Sequence, residues 1–302
     1  MATRSERNPG DAPRKKIVVL GGTGIVGAPI VRALDDAGWM VRVTSRRARE
    51  ARASFGPGVE LVPGDANRPE DLERAMAGCA GVLNCVNDLL DPYLELRVTR
   101  SLVKLAPALG VERVGLVSGA SVAPERRAFP MIDGKYQAEQ ALAASGLGWF
   151  IVRLTWTMES LARFLQGKQA AVLGRQPATI HPVAGADAGR MVARAFLLDE
   201  ALGRTFTIHG PQATTVNEWL ARYCALVHAP AKVKNLPFWM VSAVATLTRN
   251  RVLKAAVELM KYFDAQPEYG DPTEANRILG APTIALEDWV ARLLAAAQAK
   301  AA

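Results

Sequence analysis

The feature that most constrains this chain is the turn Gly21-Gly22-Thr23-Gly24-Ile25-Val26-Gly27, set between the apolar run Ile17-Val18-Val19-Leu20 and a helical pattern. Four successive apolar side chains read as a strand buried on both faces, as in a parallel sheet. Reversing sharply after such a strand takes residues without a Cβ, and the helix that follows turns free N–H groups toward the turn. Gly21, Thr23, Gly24, Ile25 and Gly27 therefore make a cradle that suits the pyrophosphate of a dinucleotide. An ordinary tight turn also uses glycine. The buried strand before it and the helix after it favour the cofactor reading.

The first half continues the alternation. A helix is expected over 24–37, ended by Gly38, with strands over 40–44, 59–62, 82–86, 111–117 and 149–154. Helices fall near 69–77 and 92–108 and over 133–144, the last closed by Ser145-Gly146. This order defines an α/β fold, a Rossmann doubly wound parallel sheet. The second half is more broken. Short strands are expected at 178–180 and 206–208, a helix over 187–198 with Asp187 as its N-cap, and helices near 215–228, 237–263 and 285–299. The resulting plan is a disordered leader over 1–15, a dinucleotide-binding core over 16–155, and a small C-terminal substrate-side lobe over 156–302 interleaved with the core. The leader is polar, carries Pro9, Gly10 and Pro13, and lacks the apolar run of a signal peptide. A cytoplasmic protein, monomeric or homodimeric, is the expectation.

A net charge of +8 and a pI of about 9.6 admit nucleic acid, an anionic surface or an anionic ligand as partner. The basic residues are dispersed, and no nucleic-acid-binding module is evident, so no nucleic acid is expected. The longest apolar stretch, 236–247, is shorter than the roughly 20 residues of a membrane span. It reads as a core or lid helix. Surface contact with a membrane through 236–262, helped by Arg249, Arg251 and Lys254, is the less favoured alternative. Cys79, Cys85 and Cys224 lack redox or zinc spacing and read as buried thiols. His181, His209 and His228 are scattered and show no metal-ligand spacing, so no metal is expected.

Cofactor choice is written after the second strand. An NAD site places a carboxylate about 20 residues past the turn to hold the ribose hydroxyls. Here the chain offers Ser45, Arg46 and Arg47. A guanidinium favours the 2′-phosphate, so NADP(H) is expected over NAD. Asp65, or the adjoining backbone at Ala66, is placed beside the adenine.

The turn, the pair Gly64-Asp65 and the segment Lys135-Tyr136-Gln137-Ala138-Glu139 together resemble the extended and atypical short-chain dehydrogenase/reductases. The segment from Arg153 to Ser160 resembles the "RPxxFMEN" stretch of the NmrA-like group, and the segments 181–187 and 203–211 resemble further signatures of that group. Members include isoflavone-reductase-type enzymes, quinone reductases, redox-sensing regulators and the dinucleotide-binding accessory subunit of respiratory complex I.

The resemblance implies a Tyr-x-x-x-Lys pair, in which Lys holds the ribose and lowers the Tyr pKa. Lys135 matches the Lys, but Met131 stands at the Tyr position and cannot transfer a proton. Tyr136, about 100° around a helix from Lys135, is no replacement. Ser118 matches the active-site Ser or Thr and would orient a substrate carbonyl. Relatives of the isoflavone-reductase type keep the Lys without the Tyr and still transfer hydride, whereas regulators bind without turnover. Phe129, Met131, Trp156 and Met158 are expected to wall a small apolar substrate, a carbonyl, enone or quinone. Core packing is an equal reading for Trp156 and Met158. Two functions therefore stay open: an NADPH-dependent reductase, or a non-catalytic NADP(H) sensor or accessory subunit acting through a partner.

Overall fold

In the computed structural model, residues 15–166, 169–227 and 233–301 are described. The expected leader, apart from residue 15, and His228 lie outside them.

Seven parallel strands form the central sheet. Six come from the first half: β1 (Lys16–Leu20), β2 (Met40–Ser45), β3 (Glu60–Pro63), β4 (Gly81–Asn84), β5 (Arg113–Gly119) and β6 (Gly148–Leu154). The seventh, Arg204–Ile208, pairs with β6 at the edge, giving the order Arg204–Ile208, β6, β5, β4, β1, β2, β3. The chain thus leaves β1 toward β3 on one side and crosses back to β4 on the other. Ligands of open parallel sheets lie at such a switch point, outside the carboxyl ends of the strands.

The alternation along β1 explains the layering. Ile17 and Val19 enter one core, with Ile30, Val31 and Leu34 of the helix Gly27–Asp36 and Met191, Val192 and Phe196 of the helix Gly185–Leu197. Val18 and Leu20 enter the other, with Leu72, Leu102, Ala138 and Leu142 from three helices on the opposite face. The four side chains Ile17 to Leu20 of β1 are fully buried, which is why that run carries no polar residue. A third cluster, built on Met158, Leu161, Val172, Trp219, Leu220 and Leu286, lies in the C-terminal part. There the strand Gln169–Leu173 pairs in parallel with Val233–Leu236.

Four sequence expectations change. The helix expected over 133–144 begins at Pro130, because proline suits a first helical position and leaves no N–H unpaired. Asp187 is not an N-cap. It lies within the first turn of the helix Gly185–Leu197, buried, and its carboxylate accepts from the Thr283 and Ile284 N–H groups, each at 2.8 Å. The helix expected over 237–263 is two helices, Phe238–Leu247 and Arg251–Ala265. Arg249 takes a left-handed φ of 52° between them, and the Asn250 side chain caps the second by accepting from the Leu253 N–H. The helix Thr273–Leu279 had no counterpart in the sequence reading. Among the described residues no helix is long and apolar enough to cross a membrane.

Candidate functional site

The glycine turn is as tight as its composition requires. Gly21 has φ +73°, and a Cβ there would lie 2.8 Å from the Cys85 carbonyl oxygen. A Cβ on Gly27 would lie 2.4 Å from the Gly21 oxygen and 2.8 Å from the Gly22 Cα. The Gly24 N–H donates to Gly21 O (3.0 Å), and the Ala28 N–H donates to Gly24 O (2.9 Å), which begins the helical winding. Thr23 and Gly24 are exposed, so the rim of the cradle is open to a ligand. The absence of side chains at Gly21 and Gly27 fits close approach of a pyrophosphate to the backbone.

Beside the turn, the ends of β2 and β3 run together. The Gly64 N–H donates to Ser45 O (3.2 Å), and the Arg47 N–H donates to Ser45 Oγ (3.2 Å). Arg46 and Arg47 are exposed. Arg47 makes only a long ion pair with Glu50 (3.7 Å), and Arg46 makes none among the described residues. Asp65 is more committed. Its N–H donates to Asp71 Oδ2 (2.8 Å), and its Oδ1 accepts from the Asn67 N–H (3.0 Å). Ala66 packs against the core on the helix-rich face.

A cavity of about 230 Å³ opens at the carboxyl ends of β5 and β6. Its wall joins Val26 of the glycine turn to Gly119, Ala120 and Ser121 after β5, Met131 and Lys135 of the helix Pro130–Ala143, and Thr155 and Trp156 after β6. Leu259 and Phe263 of the helix Arg251–Ala265 close it from the C-terminal part. Met131 and Lys135 meet there because they are one turn apart on one helical face. That relation exists only because the helix starts at Pro130.

The remaining candidates fall elsewhere. Ser118 is buried inside β5, its Oγ without a hydrogen-bond partner among the described residues, and Ser121 stands at the cavity wall instead. Phe129 stacks on Tyr262 at 4.7 Å. Met158 is buried in the third core cluster. The Glu159 carboxylate accepts from the Gly185 N–H (3.0 Å) and the Trp289 indole N–H (3.1 Å), so it secures the start of a helix and does not line this cavity.

Lys135 does not stand alone. Its ammonium donates to Glu95, with only 12% and 3% of the two side chains exposed. Burial pushes the Glu95 carboxyl up, opposed by the Lys135 charge. One turn further along, Glu139 receives Arg153 in a two-pronged contact of 2.9 and 2.5 Å. Glu95 had not been singled out from the sequence, and Glu139 had been quoted there only as the end of the Lys135-to-Glu139 segment. Their signal was a pair of carboxylates at otherwise apolar helix positions, which demand a buried cation.

Scattered in sequence, His181 and His209 come together in space. Their rings stack at 4.9 Å with an interplanar angle of 8°. The His181 Nδ1 lies 2.6 Å from Glu268 Oε2, and the ligand-type atoms of the three residues lie within 4.8 Å of one another. The three cysteines are free, and burial raises each thiol above its ordinary range.

Comparison with known proteins agrees with this frame. The NAD(P)H-binding family matches residues 21–194, and the chain belongs to that family. An NAD(P)H azoreductase of Xenophilus azovorans is 26% identical over 260 residues, covering 84% of this chain and 88% of the relative. The (4-alkanoyl-5-oxo-2,5-dihydrofuran-3-yl)methyl phosphate reductase of Streptomyces griseus is 31% identical over 224 residues, 73% of this chain and 77% of the relative. A photosystem II assembly factor, Ycf39 of Cyanophora paradoxa, is 26% identical over 243 residues, 78% and 74%. Among solved structures, Citrobacter triphenylmethane reductase complexed with NADP(H) superposes with a TM-score of 0.72 at 19% identity, covering 90% of this chain and 98% of that one.

Proposed function

We propose that the chain is an NADPH-dependent reductase of a small, flat, apolar acceptor such as a quinone, enone or azo compound. The observation that carries this reading is a single cavity lined together by Val26 of the glycine turn, Lys135 and Trp156. When bound, the dinucleotide supplies a hydride. Gly21, Gly24 and Gly27 admit its pyrophosphate, Arg46 and Arg47 hold a 2′-phosphate, and Asp65 with the Ala66 backbone borders the adenine. Lys135, steadied by Glu95, holds the ribose at the cavity wall. Met131 and Trp156 pack against the acceptor, and Ser121 offers it a hydroxyl where Ser118 was expected. The C-terminal part, from Trp156 on, serves as the acceptor-side lobe. The wall is mostly apolar, with a few polar groups, and sized for a small acceptor, and relatives named as azoreductase and furanyl phosphate reductase support reduction.

Steady oxidation of NADPH in the presence of a quinone and azo panel tests the reading. Acceptor-dependent turnover is expected. Tight NADPH binding with no turnover on any acceptor would end it.

The second reading, a non-catalytic accessory protein acting through a partner, draws on the exposed face of the helix Phe238–Leu247. Trp239 is 74% exposed and Leu247 87%. Relatives named as photosystem II assembly factors support it. A stable co-purifying protein, lost in Trp239→Ser with Leu247→Ser, would favour it over the first.

A further inference from the structure

We infer that Thr155, Glu268 and His181 form a proton relay between the cavity and the solvent, supplying the proton that Met131 cannot. The inference rests on the reductase reading above. Reducing a quinone, an enone or an azo bond requires one proton for each hydride, and no tyrosine stands at the helix position one turn before Lys135. The cavity wall offers another source of acid. Thr155 and Glu268 both line it, and the Thr155 hydroxyl donates to Glu268 Oε1. The other carboxylate oxygen meets His181 Nδ1 at 2.6 Å. His181 does not line the cavity, and its side chain is 34% exposed, against 9% for Glu268. The three groups thus lead from the wall, through a buried carboxylate, to an imidazole in contact with water.

The positions arise from three separate parts of the chain. Thr155 follows β6, His181 follows the strand Thr179–Ile180, and Glu268 lies in the loop after the helix Arg251–Ala265. Other groups face the cluster as well. His209, after the edge strand, stacks on His181, and its Nε2 lies 3.8 Å from Glu268. Asp271 and the Tyr269 backbone act on His209, and Arg126 sits over the Tyr269 ring at 4.7 Å and donates to the Pro267 carbonyl. Burial keeps His209 toward its neutral form, and its side chain is 12% exposed against 34% for His181, so His181 is the ring of the pair more open to water.

The step balances simply. The hydride from the dinucleotide forms a new bond to the acceptor, and the acceptor's developing anion takes a proton from the Glu268 carboxyl, either directly or through the Thr155 hydroxyl, which turns to accept from the protonated carboxyl as it donates to the acceptor. The Glu268 O–H bond breaks as the acceptor's O–H or N–H bond forms. The carboxylate regains a proton from Nδ1–H of the protonated His181 ring, and the neutral ring takes up one proton from the solvent. Nothing beyond the hydride donor and one solvent proton is consumed.

The test uses the isosteric Glu268→Gln and the variant His181→Asn, with His209→Gln as a control from the same cluster. General acid catalysis contributes about 10²–10⁴-fold, so both relay variants should lose at least about 100-fold in kcat, with NADPH affinity unchanged. Their pH–rate profiles should lose the limb at which the wild-type rate falls as pH rises, while His209→Gln keeps it. A readout independent of turnover is NMR titration of the histidine rings in the cofactor-free protein. The His181 titration should move in Glu268→Gln, showing that the two groups share a proton.

Wild-type kcat and pH profile in both relay variants would overturn the relay and leave the reductase reading standing. An unmoved His181 titration would do the same. Tight stoichiometric Zn²⁺ binding that Glu268→Gln abolishes would overturn it by making the cluster a metal site. If the unmodified chain turns over no acceptor, the reductase reading fails and the relay falls with it, whatever the titration shows.

Discussion

Lys135, at the wall of the cavity, is paired with Glu95 across two helices, and both side chains are almost wholly withdrawn from water. Each charge is tolerable only because of the other. Removing one partner of such a pair costs about 3–5 kcal/mol.

In Lys135→Met the Glu95 carboxyl, already raised by burial from 4.5, should rise further. A carboxyl with a higher pKa folded than unfolded binds more protons in the folded state. Stability should therefore fall as pH rises from about 4.5 toward the folded value. Thermal unfolding across pH should show this fall in Lys135→Met. The double variant Lys135→Met, Glu95→Gln should lack this fall over the same range. Equal slopes in the two would refute the pairing.

His209 carries the opposite sign. Burial lowers its pKa below 6.5, against the pull of Glu268, so the folded state favours the neutral ring. Its contribution is complete above pH 6.5 and is lost as pH falls from there through the folded value. His209→Gln should remove that part of the acid-side slope in Tm. An unchanged slope would show that another group causes it.

Gly27→Ala tests the cradle. Its new methyl would meet the Gly21 oxygen at 2.4 Å, and overpacking of this kind costs about 1–3 kcal/mol. NADPH affinity should drop at least about tenfold, equivalent to about 1.4 kcal/mol. Gly38→Ala is the control. It has φ +85° with nothing within 4 Å of the added methyl, so it should strain the chain and leave affinity unchanged. Calorimetric titration of the two variants separates the outcomes.

For Arg46→Ala with Arg47→Ala, hydrogen bonds to a charged phosphate are worth about 1.5–3 kcal/mol, so NADPH binding should weaken by roughly ten- to a hundredfold. NADH binding should hardly change. Equal loss for both dinucleotides would remove the arginines from cofactor choice.

The sequence made the sheet legible because β1 to β6 are short, are built on apolar runs and are separated by helices. Gly38 and Gly146 both take the left-handed φ that ends a helix. The cofactor turn was legible for the same local reason. The C-terminal half was harder to read, since its elements depend on distant partners. Asp187 looked like a cap because it precedes an apolar run, yet its carboxylate serves two N–H groups almost a hundred residues away. Met131 could not be placed on the Lys135 face while the helix was taken to begin at 133. The gathering of His181, His209 and Glu268 was invisible, because three residues from three separate loops leave no spacing to recognise.

The most direct measurement of the central claim is a single-turnover reaction. The protein–NADPH complex, deuterated at C4 of the nicotinamide, is mixed with a stoichiometric quinone, and the label is followed. The account predicts loss of the reduced nicotinamide absorbance in step with transfer of deuterium from C4, faster than in the absence of protein. Persistence of reduced, fully labelled NADPH in the bound complex, across quinone and azo acceptors alike, would contradict it.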